Sequence, residues 1–344
     1  MTSSLLITGG AGYIGSHTLV ELIATGHRLV VLDNFSNSSP KVLRRVEELT
    51  GTQIEHVPGD IRDAATLDTV FQRAADAGYP VDCVVHFAGL KAVGESHRDP
   101  LGYYDNNVRG SLVLLQAMDR ANIEKIVFSS SATIYGPGTL PYVEDCVSAP
   151  ANPYGRTKAV VEQLLRDWCG AGARRTAINL RYFNPIGAHV SGRIGEAPRG
   201  TPNNLFPYIT QVAVGKRDKL VVFGNDYPTV DGTGVRDYIH VVDLAIAHVR
   251  AVDYARRSAP GCTAFNLGTG RGTSVLELIG MFEKTTGVKI PYEIQSRRPG
   301  DIAEAWADPT LAQKTLQWAA SRGVEEMCRD GWRWQSQNPD GYGD

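Results

Sequence analysis

The segment NPYGRTK (152–158) places a phenol and an ammonium four residues apart, at Tyr154 and Lys158, directly after Pro153. Proline suits the first position of a helix, so both side chains are expected on one helix face, one turn apart. A free tyrosine has a pKa of about 10 and is a poor base at neutral pH, but a nearby positive charge favours its phenolate. The pair is therefore predicted to act as a general base and acid. The spacing alone also fits an exposed helical pair whose ring packs into the core.

Hydroxyl groups are concentrated ahead of this helix, where Phe128 is followed by Ser129-Ser130-Ser131-Ala132-Thr133. The apolar residues before the cluster predict a strand that ends at Ser129. In open α/β sheets, ligands bind beyond the carboxyl ends of the strands. The serine cluster is therefore expected to face a ligand crevice, which gives the Tyr154–Lys158 pair more weight.

A glycine-rich turn follows the first predicted strand, with the sequence Gly9-Gly10-Ala11-Gly12-Tyr13-Ile14-Gly15. Its glycines match both GxGxxG and GxxGxxG, and a helical pattern follows, which is the context that a dinucleotide-binding turn requires. Side chains here would block a pyrophosphate from the backbone N–H groups at the start of the helix. The alternative is a tight strand–helix turn without a ligand.

The second predicted strand ends at Asp33, 18 residues after the last glycine of the turn. A carboxylate at this point binds the hydroxyls of the adenosine ribose and repels a 2′-phosphate. No Arg or Lys follows before Lys41, so NAD is predicted as the cofactor in preference to NADP. Asp60, after the third strand, is expected near the adenine, although it also suits a helix N-cap.

Short apolar segments alternate with helical patterns through the first half of the chain. The predicted strands are residues 5–8, 28–32, 54–57, 81–87, 125–129 and 176–180. The predicted helices are residues 14–24, 41–49, 64–77, 103–120 and 154–168. This alternation predicts an α/β fold with a Rossmann-type doubly wound parallel sheet.

The regular alternation ends near residue 181. Residues 184–207 are rich in Gly, Pro and Asn and are expected to form a long, functional loop. Helical patterns at 241–255, 274–286 and 309–319 predict a smaller C-terminal α/β lobe. We expect an NAD-binding domain over residues 1–183 and a substrate-binding domain over residues 184–344, with segments near 236–256 packing back on the first. The polar end after Trp334 is expected to fray.

The composition excludes several classes of protein and partner. The 344 residues are 42% hydrophobic, carry a formal net charge of -2 and contain no basic block, which argues against nucleic acid as a partner. The apolar runs have the length of strands, so no membrane segment is expected. Five cysteines without a CxxC pair predict a reduced, cytoplasmic protein. The eight histidines show no metal-binding spacing, so no metal site is predicted.

Longer motifs carry a family resemblance along nearly the whole chain. They are TGGAGYIGSH, DNFSNS, GDIRD, HFAGLKAVGES, YYDNNV, FSSSATIYG, RYFNPIGAH, PNNL, FGNDYPT, DGTGVRDYIHV and WRWQ. With them the chain resembles the UDP-glucose 4-epimerases, a family of extended short-chain dehydrogenases/reductases. The resemblance implies a UDP-hexose as substrate, tightly retained NAD, and a homodimer formed through the helices at 103–120 and 154–168.

The resemblance also implies roles for single residues. Ser131 would bond the sugar O4, Tyr154 would be the catalytic base, and Lys158 would hold the nicotinamide ribose and lower the tyrosine pKa. The cofactor-binding positions are Gly9, Gly12, Tyr13, Ile14, Gly15, Asp33, Asn34, Asn37, Ser38, Asp60, Ile61, Phe87, Ala88, Gly89, Lys91, Asn106, Ser129, Tyr154, Lys158, Tyr182 and Phe183.

The positions implied for the substrate extend into the second half of the chain. They are Lys91, Ser131, Thr133, Tyr154, Asn184, Asn204, Leu205, Val221, Val222, Phe223, Arg236, Tyr238, Arg298, Asp301 and Ala305. Arg236 and Arg298 would clamp the diphosphate, since guanidinium forks pair bidentately with phosphate oxygens. An exposed surface charge is the commoner role of a single arginine.

The implied reaction interconverts UDP-glucose and UDP-galactose through transient oxidation at C4, rotation of the 4-keto sugar and reduction of its other face. Ala305 lies where, in this family, a small residue admits an N-acetyl group. Activity on UDP-N-acetylglucosamine and its galacto epimer is therefore expected, unless other residues refill the space.

Three other functions fit these residues less well. A nucleotide-sugar 4,6-dehydratase needs a carboxylic acid beside the serine, but Ala132, Thr133 and Ile134 follow Ser131. A UDP-glucuronate decarboxylase needs a site tuned for a carboxylate, and the motif match argues against it. A non-catalytic dinucleotide sensor typically lacks the Tyr–Lys pair, which is intact here.

Overall fold

The structure is a computed structural model that describes residues 3–298 and 301–343. Its strands are β1 (Ser4–Thr8), β2 (Arg28–Asp33), β3 (Glu55–Pro58), β4 (Val81–His86), β5 (Lys125–Ser129), β6 (Thr176–Tyr182), β7 (Asn184–Ile186), β8 (Leu220–Phe223), β9 (Val235–Arg236), β10 (Tyr238–His240), β11 (Gly261–Leu267), β12 (Thr273–Ser274), β13 (Tyr292–Gln295) and β14 (Glu304–Ala305). Its helices are α1 (Tyr13–Ala24), α2 (Pro40–Thr50), α3 (Ala64–Asp76), α4 (Val93–Arg98), α5 (Pro100–Tyr103), α6 (Gly110–Arg120), α7 (Pro153–Gly170), α8 (Leu205–Ala213), α9 (Val241–Arg257), α10 (Val275–Thr286), α11 (Thr310–Leu316) and α12 (Val324–Gln337). A π-helical segment, Tyr104–Arg109, joins α5 to α6, and a 3₁₀ turn, Ala132–Ile134, follows β5.

A seven-stranded sheet forms the centre of the fold, in the order β11-β6-β5-β4-β1-β2-β3. The pairs from β6 through β3 are parallel. The chain runs outward from β1 to β3 and then returns to the other side of β1 as β4. The Rossmann-type α/β fold predicted from the sequence is confirmed, and its topological switch point lies between β1 and β4, where such sheets bind ligands.

Apolar packing on one face of this sheet fixes the helices that flank it. Leu6 of β1 and Ile126 of β5 share a buried cluster with Leu67 of α3, Leu114 of α6 and Val161 of α7. Parallel strands covered on both faces appear in a sequence as continuous apolar runs, and all five residues of β1 are buried. Because β1, β4 and β5 are neighbouring parallel strands, their carboxyl ends lie at one edge of the sheet.

The chain divides into two compact units. The first contains residues 1–136, 147–181 and 245–265, and the second contains residues 137–146, 182–244 and 266–344. The sequence predicted a boundary between residues 183 and 184. The structure differs in two segments, because 137–146 belongs to the second unit and the whole of 245–265 belongs to the first.

The second unit has a core of its own. Phe206 of α8, Phe282 of α10 and Met327 of α12 belong to one buried cluster. Three small sheets accompany these helices, formed by β10–β7, β12–β9–β14 and β13–β8. Among the described residues, no helix combines the length and apolar character needed to cross a bilayer.

Several local expectations were wrong. The loop expected over residues 184–207 includes β7, which pairs with β10, and gives way to α8 at Leu205. The helix expected over 309–319 ends at Leu316, because Gln317 adopts a left-handed φ of 51°. The segment from 335 to 343, expected to fray, is held in place, because the Tyr342 hydroxyl donates to the Gly195 carbonyl (2.9 Å) and the Asn338 amide donates to the Gly192 carbonyl (2.9 Å).

Candidate active site

The start of α7 sets the position of Tyr154. Asn152 is the N-cap, and its Oδ1 accepts a hydrogen bond from the Gly155 N–H at 2.8 Å. Pro153 follows at the first helical position, as predicted. Tyr154 and Lys158 are 6% and 5% exposed, so the alternative of an exposed helical pair is wrong.

Gly155 allows the first turn of α7 to pack closely against the loop after β5. A Cβ atom at this position would lie 2.4 Å from the carbonyl oxygen of Thr133 and 3.0 Å from Cβ of Pro150. No side chain fits at that distance from backbone. The glycine between the tyrosine and the lysine therefore brings their helix against the serine cluster.

Lys158 is held at the carboxyl end of β5. Its Nζ donates to the Ser129 carbonyl at 2.7 Å and lies 5.9 Å from the ring centroid of Tyr154. Burial lowers the pKa of Lys158 to about 8 from its ordinary value of 10.5. The side chain thus stays mostly protonated at neutral pH, where its charge favours the phenolate of Tyr154.

The hydroxyls of Ser131 and Thr133 are joined in the 3₁₀ turn. Thr133 donates to Ser131 Oγ from its backbone N (3.2 Å) and from Oγ1 (2.9 Å). Ser131 is buried and lies at the carboxyl end of β5, two residues after the carbonyl that binds Lys158. The first unit therefore brings together the serine, the tyrosine and the lysine as one site at a strand end.

Asn107 is a site residue that the sequence reasoning missed. Its Oδ1 accepts from the Leu90 N–H (2.8 Å), and its Nδ2 donates to the Leu90 carbonyl (3.0 Å) and to Thr157 Oγ1 (3.0 Å). It lies in the π-helical segment, a feature frequent at functional sites. It ties the loop after β4 to α7. The available signal was a second asparagine, next to Asn106, in the motif YYDNNV (103–108).

The glycine turn fits a dinucleotide pyrophosphate. A Cβ atom on Gly9 would lie 2.6 Å from the backbone N of Ala88, and one on Gly15 would lie 2.5 Å from the Gly9 carbonyl oxygen. The N-cap of α1 is Gly12, and no side chain caps this end. A helix N-terminus that follows a glycine-rich turn and has no side-chain cap is suited to bind a phosphate.

Asp33 organises the loop at the end of β2. Its Oδ2 accepts from the Ala11 N–H, and its Oδ1 accepts from the Phe35 N–H and from Ser38 Oγ, each at 2.9 Å. These bonds join the glycine turn to the loop that holds Asn34, Asn37 and Ser38. A carboxylate has about four acceptor positions, so capacity remains for ribose hydroxyls.

The helix N-cap considered for Asp60 is wrong. Asp63 caps α3, with its side chain accepting from the Ala65 N–H. Asp60 instead accepts from Arg62 Nη2 (2.7 Å) and from Asn34 Nδ2 (3.1 Å). The hydrogen bonds from Arg62 lower the pKa of Asp60 to about 2. Ile61 is buried in the core beneath Gly110.

Other predicted cofactor positions surround this edge of the sheet. Lys91 Nζ lies 5.9 Å from the ring centroid of Tyr13, and Asn106 donates to Asn107 Oδ1 at 2.9 Å. The remaining ones are Ile14 in α1, and Phe87, Ala88 and Gly89 after β4. Tyr182 and Phe183 follow in the second unit, where the Phe183 N–H donates to the Leu267 carbonyl at 3.2 Å.

Four predicted substrate residues form two pairs in the second unit. Arg236 Nη2 lies 2.6 Å from Asp301 Oδ1. The Arg298 guanidinium carbon lies 3.9 Å from the ring centroid of Phe223. The paired carboxylate and the aromatic face hold the two arginine side chains, and both guanidinium groups keep further N–H donors.

The remaining substrate positions of this unit differ in exposure. Val222 and Tyr238 are buried in the core, whereas Val221 on β8 and Ala305 on β14 are half-buried. Asn204 precedes α8, which begins at Leu205, and Asn184 begins β7. The side chains of Val222 and Tyr238 thus face the core, and both residues lie in paired strands, Val222 opposite Ile294 and Tyr238 opposite Asn184.

Known proteins resemble this chain in sequence and in fold over nearly its whole length. A sequence model described as GDP-mannose 4,6 dehydratase matches residues 6–331. The UDP-glucose 4-epimerase of Bacillus subtilis is 56% identical over 340 residues, which cover 98% of each chain. The Stenotrophomonas maltophila UDP-glucose-4-epimerase, solved with NAD and formylated UDP-arabinopyranose, superposes with a TM-score of 0.94 at 50% identity, covering 98% of this chain and 99% of that one. The Bifidobacterium longum enzyme, solved with NAD⁺ and UDP, has a TM-score of 0.93 at 49% identity, covering 98% and 100%.

The sheet, the glycine turn and the buried Tyr–Lys pair define a nucleotide-sugar-modifying member of the short-chain dehydrogenases/reductases. The sequence identity of 56% with the Bacillus subtilis enzyme, over 98% of both chains, then identifies the family within that class. The chain belongs to the UDP-glucose 4-epimerase family.

Proposed function

We propose that the protein interconverts UDP-glucose and UDP-galactose by NAD-dependent transient oxidation at C4 of the sugar. The observation that carries the proposal is the buried Tyr154–Lys158 pair, with Lys158 on the Ser129 carbonyl at 2.7 Å and the Ser131 hydroxyl two residues further on. A phenol, an ammonium and a hydroxyl at one strand end suit removal of a proton from a secondary alcohol.

Bound NAD supplies a hydride acceptor for the sugar C4, and later the hydride donor. Tyr154, as the phenolate, accepts the proton of the sugar O4 while Ser131 hydrogen-bonds that oxygen. Lys158 stabilises the phenolate through its charge. After the 4-keto sugar turns, Tyr154 returns the proton to O4 on the opposite face, and Ser131 again bonds that oxygen.

Rotation of the sugar requires that the rest of the substrate stay anchored. We assign this to the second unit, where Arg236 and Arg298 would bind the diphosphate and Asp301 the ribose. Asn204, Leu205 and the segment 221–223 would hold the diphosphate and the uracil. Binding energy from such remote groups can fix the nucleotide while the hexose pocket remains permissive.

The dehydratase alternative lacks its acid. Ala132, Thr133 and Ile134 form the 3₁₀ turn directly after Ser131, and none carries a carboxylate. The name of the matching sequence model therefore describes the wider family and not the reaction we propose.

A direct assay separates the proposal from its rivals. Purified protein incubated with UDP-galactose is expected to yield UDP-glucose until both sugars reach equilibrium, and absorbance at 340 nm is expected to report reduced cofactor during turnover. Release of a 4-keto-6-deoxy sugar, or of CO₂ from UDP-glucuronate, would assign the protein to a rival class. If no conversion is detected at all, the remaining alternative is the non-catalytic dinucleotide sensor.

Substitution of Ala305 tests substrate range. Ala305 lies on β14, half-buried and paired with Arg236 of β9, and we propose that its small side chain admits an N-acetyl group. Ala305→Tyr is expected to lower kcat/KM for UDP-N-acetylglucosamine about tenfold or more, with a small effect on UDP-glucose. The two substrates are compared side by side, with Val230→Tyr as an exposed control. An unaltered ratio of the two activities would refute this role.

Two helices offer a surface for a homodimer. Leu112 of α6 and Val160 of α7 are 42% and 38% exposed, although both are apolar. We propose that a second copy covers them. Leu112→Asp with Val160→Asp is expected to convert a dimer to a monomer in light scattering, while Val230→Asp, on a residue that is exposed in the second unit, leaves the mass unchanged. A wild-type monomer would contradict this interface.

We also propose that the protein works in the cytoplasm. All five cysteines are free thiols, as expected for a reducing compartment. There the protein would use NAD as its cofactor and UDP-sugars as its substrates.

A further inference from the structure

A buried ion pair lies behind the serine cluster. Glu162 follows Lys158 by one turn of α7, and its side chain and that of Arg181 on β6 are 4% and 8% exposed. Arg181 Nη2 donates to Glu162 Oε2 at 2.6 Å, and Arg181 Nε donates to Oε1 at 3.0 Å. The pair is thus bidentate and shielded from water.

The ion pair binds the catalytic loop at two points. Glu162 Oε1 accepts from Ser130 Oγ at 2.5 Å, and Arg181 Nη1 donates to the Tyr135 hydroxyl at 2.9 Å. Ser130 lies between the carbonyl that binds Lys158 and the Ser131 hydroxyl. Tyr135 follows the 3₁₀ turn. The segment that carries Ser131 is therefore fastened at both of its ends.

Stability alone does not explain this arrangement. A buried ion pair loses about as much free energy through desolvation as it gains from attraction, and apolar residues often replace such pairs without loss. Buried polar groups that are fully bonded instead fix one geometry. The bonded partners here are the residues that flank Ser131, which points to a role in the geometry of the site.

The charge of Glu162 also reaches Lys158. The titratable and charged groups around Lys158 are Tyr154 and Glu162 on its own helix, His86 on β4, and Arg181 on β6, which bonds Glu162. Burial, with a contribution from Lys158, lowers the pKa of His86 to about 3, so this imidazole is neutral. Glu162 opposes the effect of burial on the pKa of Lys158.

We propose that Glu162, oriented by Arg181, is a positioning residue with two effects: it fixes the Ser130–Tyr135 loop so that Ser131 meets the sugar O4, and it keeps Lys158 in its charged form. This inference rests on the proposed function for its catalytic consequence. Its effect on Lys158 exists without substrate, so the two can fail separately.

Glu162→Gln removes the charge while keeping an oxygen that can accept from Ser130. Loss of a negative charge favours the deprotonated form of each neighbour, so both limbs of the kcat–pH profile, set by Tyr154 and Lys158, are expected to move to lower pH by roughly one unit. We expect kcat at neutral pH to fall about tenfold to a hundredfold, as for small misplacements of a catalytic group.

Ser130→Ala separates the two effects. It removes the hydroxyl bonded to Glu162 but no charge, so kcat is expected to fall about threefold to tenfold with both pH limbs unmoved. Asp243→Asn is the matched control. Asp243 is buried in the second unit and paired with Arg322, so its loss is expected to lower the Tm without shifting the limbs.

The deciding readout is the titration of Lys158 by ¹³C NMR without substrate, with its resonance assigned by Lys158→Arg. We expect the midpoint to be lower in Glu162→Gln than in the wild type and unchanged in Ser130→Ala and Asp243→Asn. An unchanged midpoint together with unmoved pH limbs in a folded Glu162→Gln protein would overturn the charge effect. Wild-type kcat in Ser130→Ala would overturn the positioning effect.

Discussion

Tyr154→Phe is expected to lower kcat for UDP-galactose about 10³-fold, within the range of a general base. The ring remains to fill the buried first turn of α7, so the fold should be preserved. What disappears is the phenolate that accepts the O4 proton beside Lys158. KM should change little, because Arg236 and Arg298 are proposed to supply the anchoring.

The measurement is steady-state kinetics with a matched control. Tyr292→Phe removes a hydroxyl from an exposed residue of β13 and is expected to behave as the wild type. The double variant Ser131→Ala, Tyr154→Phe should be no more active than Tyr154→Phe. Near wild-type turnover in the double variant would rule out both roles.

The substitution Lys158→Met is expected to have the second large effect, lowering activity while raising stability. We expect kcat to fall about 10²-fold or more, because the phenolate loses its positive neighbour. The acidic limb of the pH profile should move to higher pH. Stability, in contrast, should rise at neutral pH, because a buried ammonium is removed.

The pH dependence of that stability gain has a defined sign. The folded pKa of Lys158 is about 8, below its ordinary value of 10.5. Between these two values the unfolded state is protonated at Lys158 and the folded state is not. The loss of folding stability caused by burying the ammonium is therefore complete below about pH 8 and vanishes above about pH 10.5. The gain in Tm of Lys158→Met should follow the same window. The exposed Lys284→Met is the control, and a gain that persists above pH 10.5 would contradict the assignment.

The features that the sequence predicted well depend mostly on the spacing of residues close together in the chain. Tyr154 and Lys158 share a helix face because helical periodicity and Pro153 act within one turn. The glycine turn is only partly local, since a Cβ atom on Gly15 would meet the backbone of Gly9 and Gly10, whereas one on Gly9 would meet the backbone of Ala88 after β4. Continuous apolar strands such as β1 follow from burial on both faces, and they fixed the fold class.

Contacts between distant parts of the chain were not predictable in this way. Asn107 binds Leu90 and Thr157, and Glu162 binds Ser130 and Arg181, so each role depends on tertiary packing that no single motif encodes. The N-cap interpretation of Asp60 failed for a related reason. Its carboxylate is held by Arg62, and Asp63 supplies the cap.

The transfer of hydrogen at C4 tests the central claim most directly. UDP-galactose carrying deuterium at C4 is incubated with the protein in ordinary water, and the UDP-glucose formed is analysed by NMR. If hydride leaves and returns within one closed site while Tyr154 exchanges only the O4 proton, the product should retain the deuterium at C4. Loss of the label to water would show that C4 gives up a proton in place of a hydride, and the account would then be wrong.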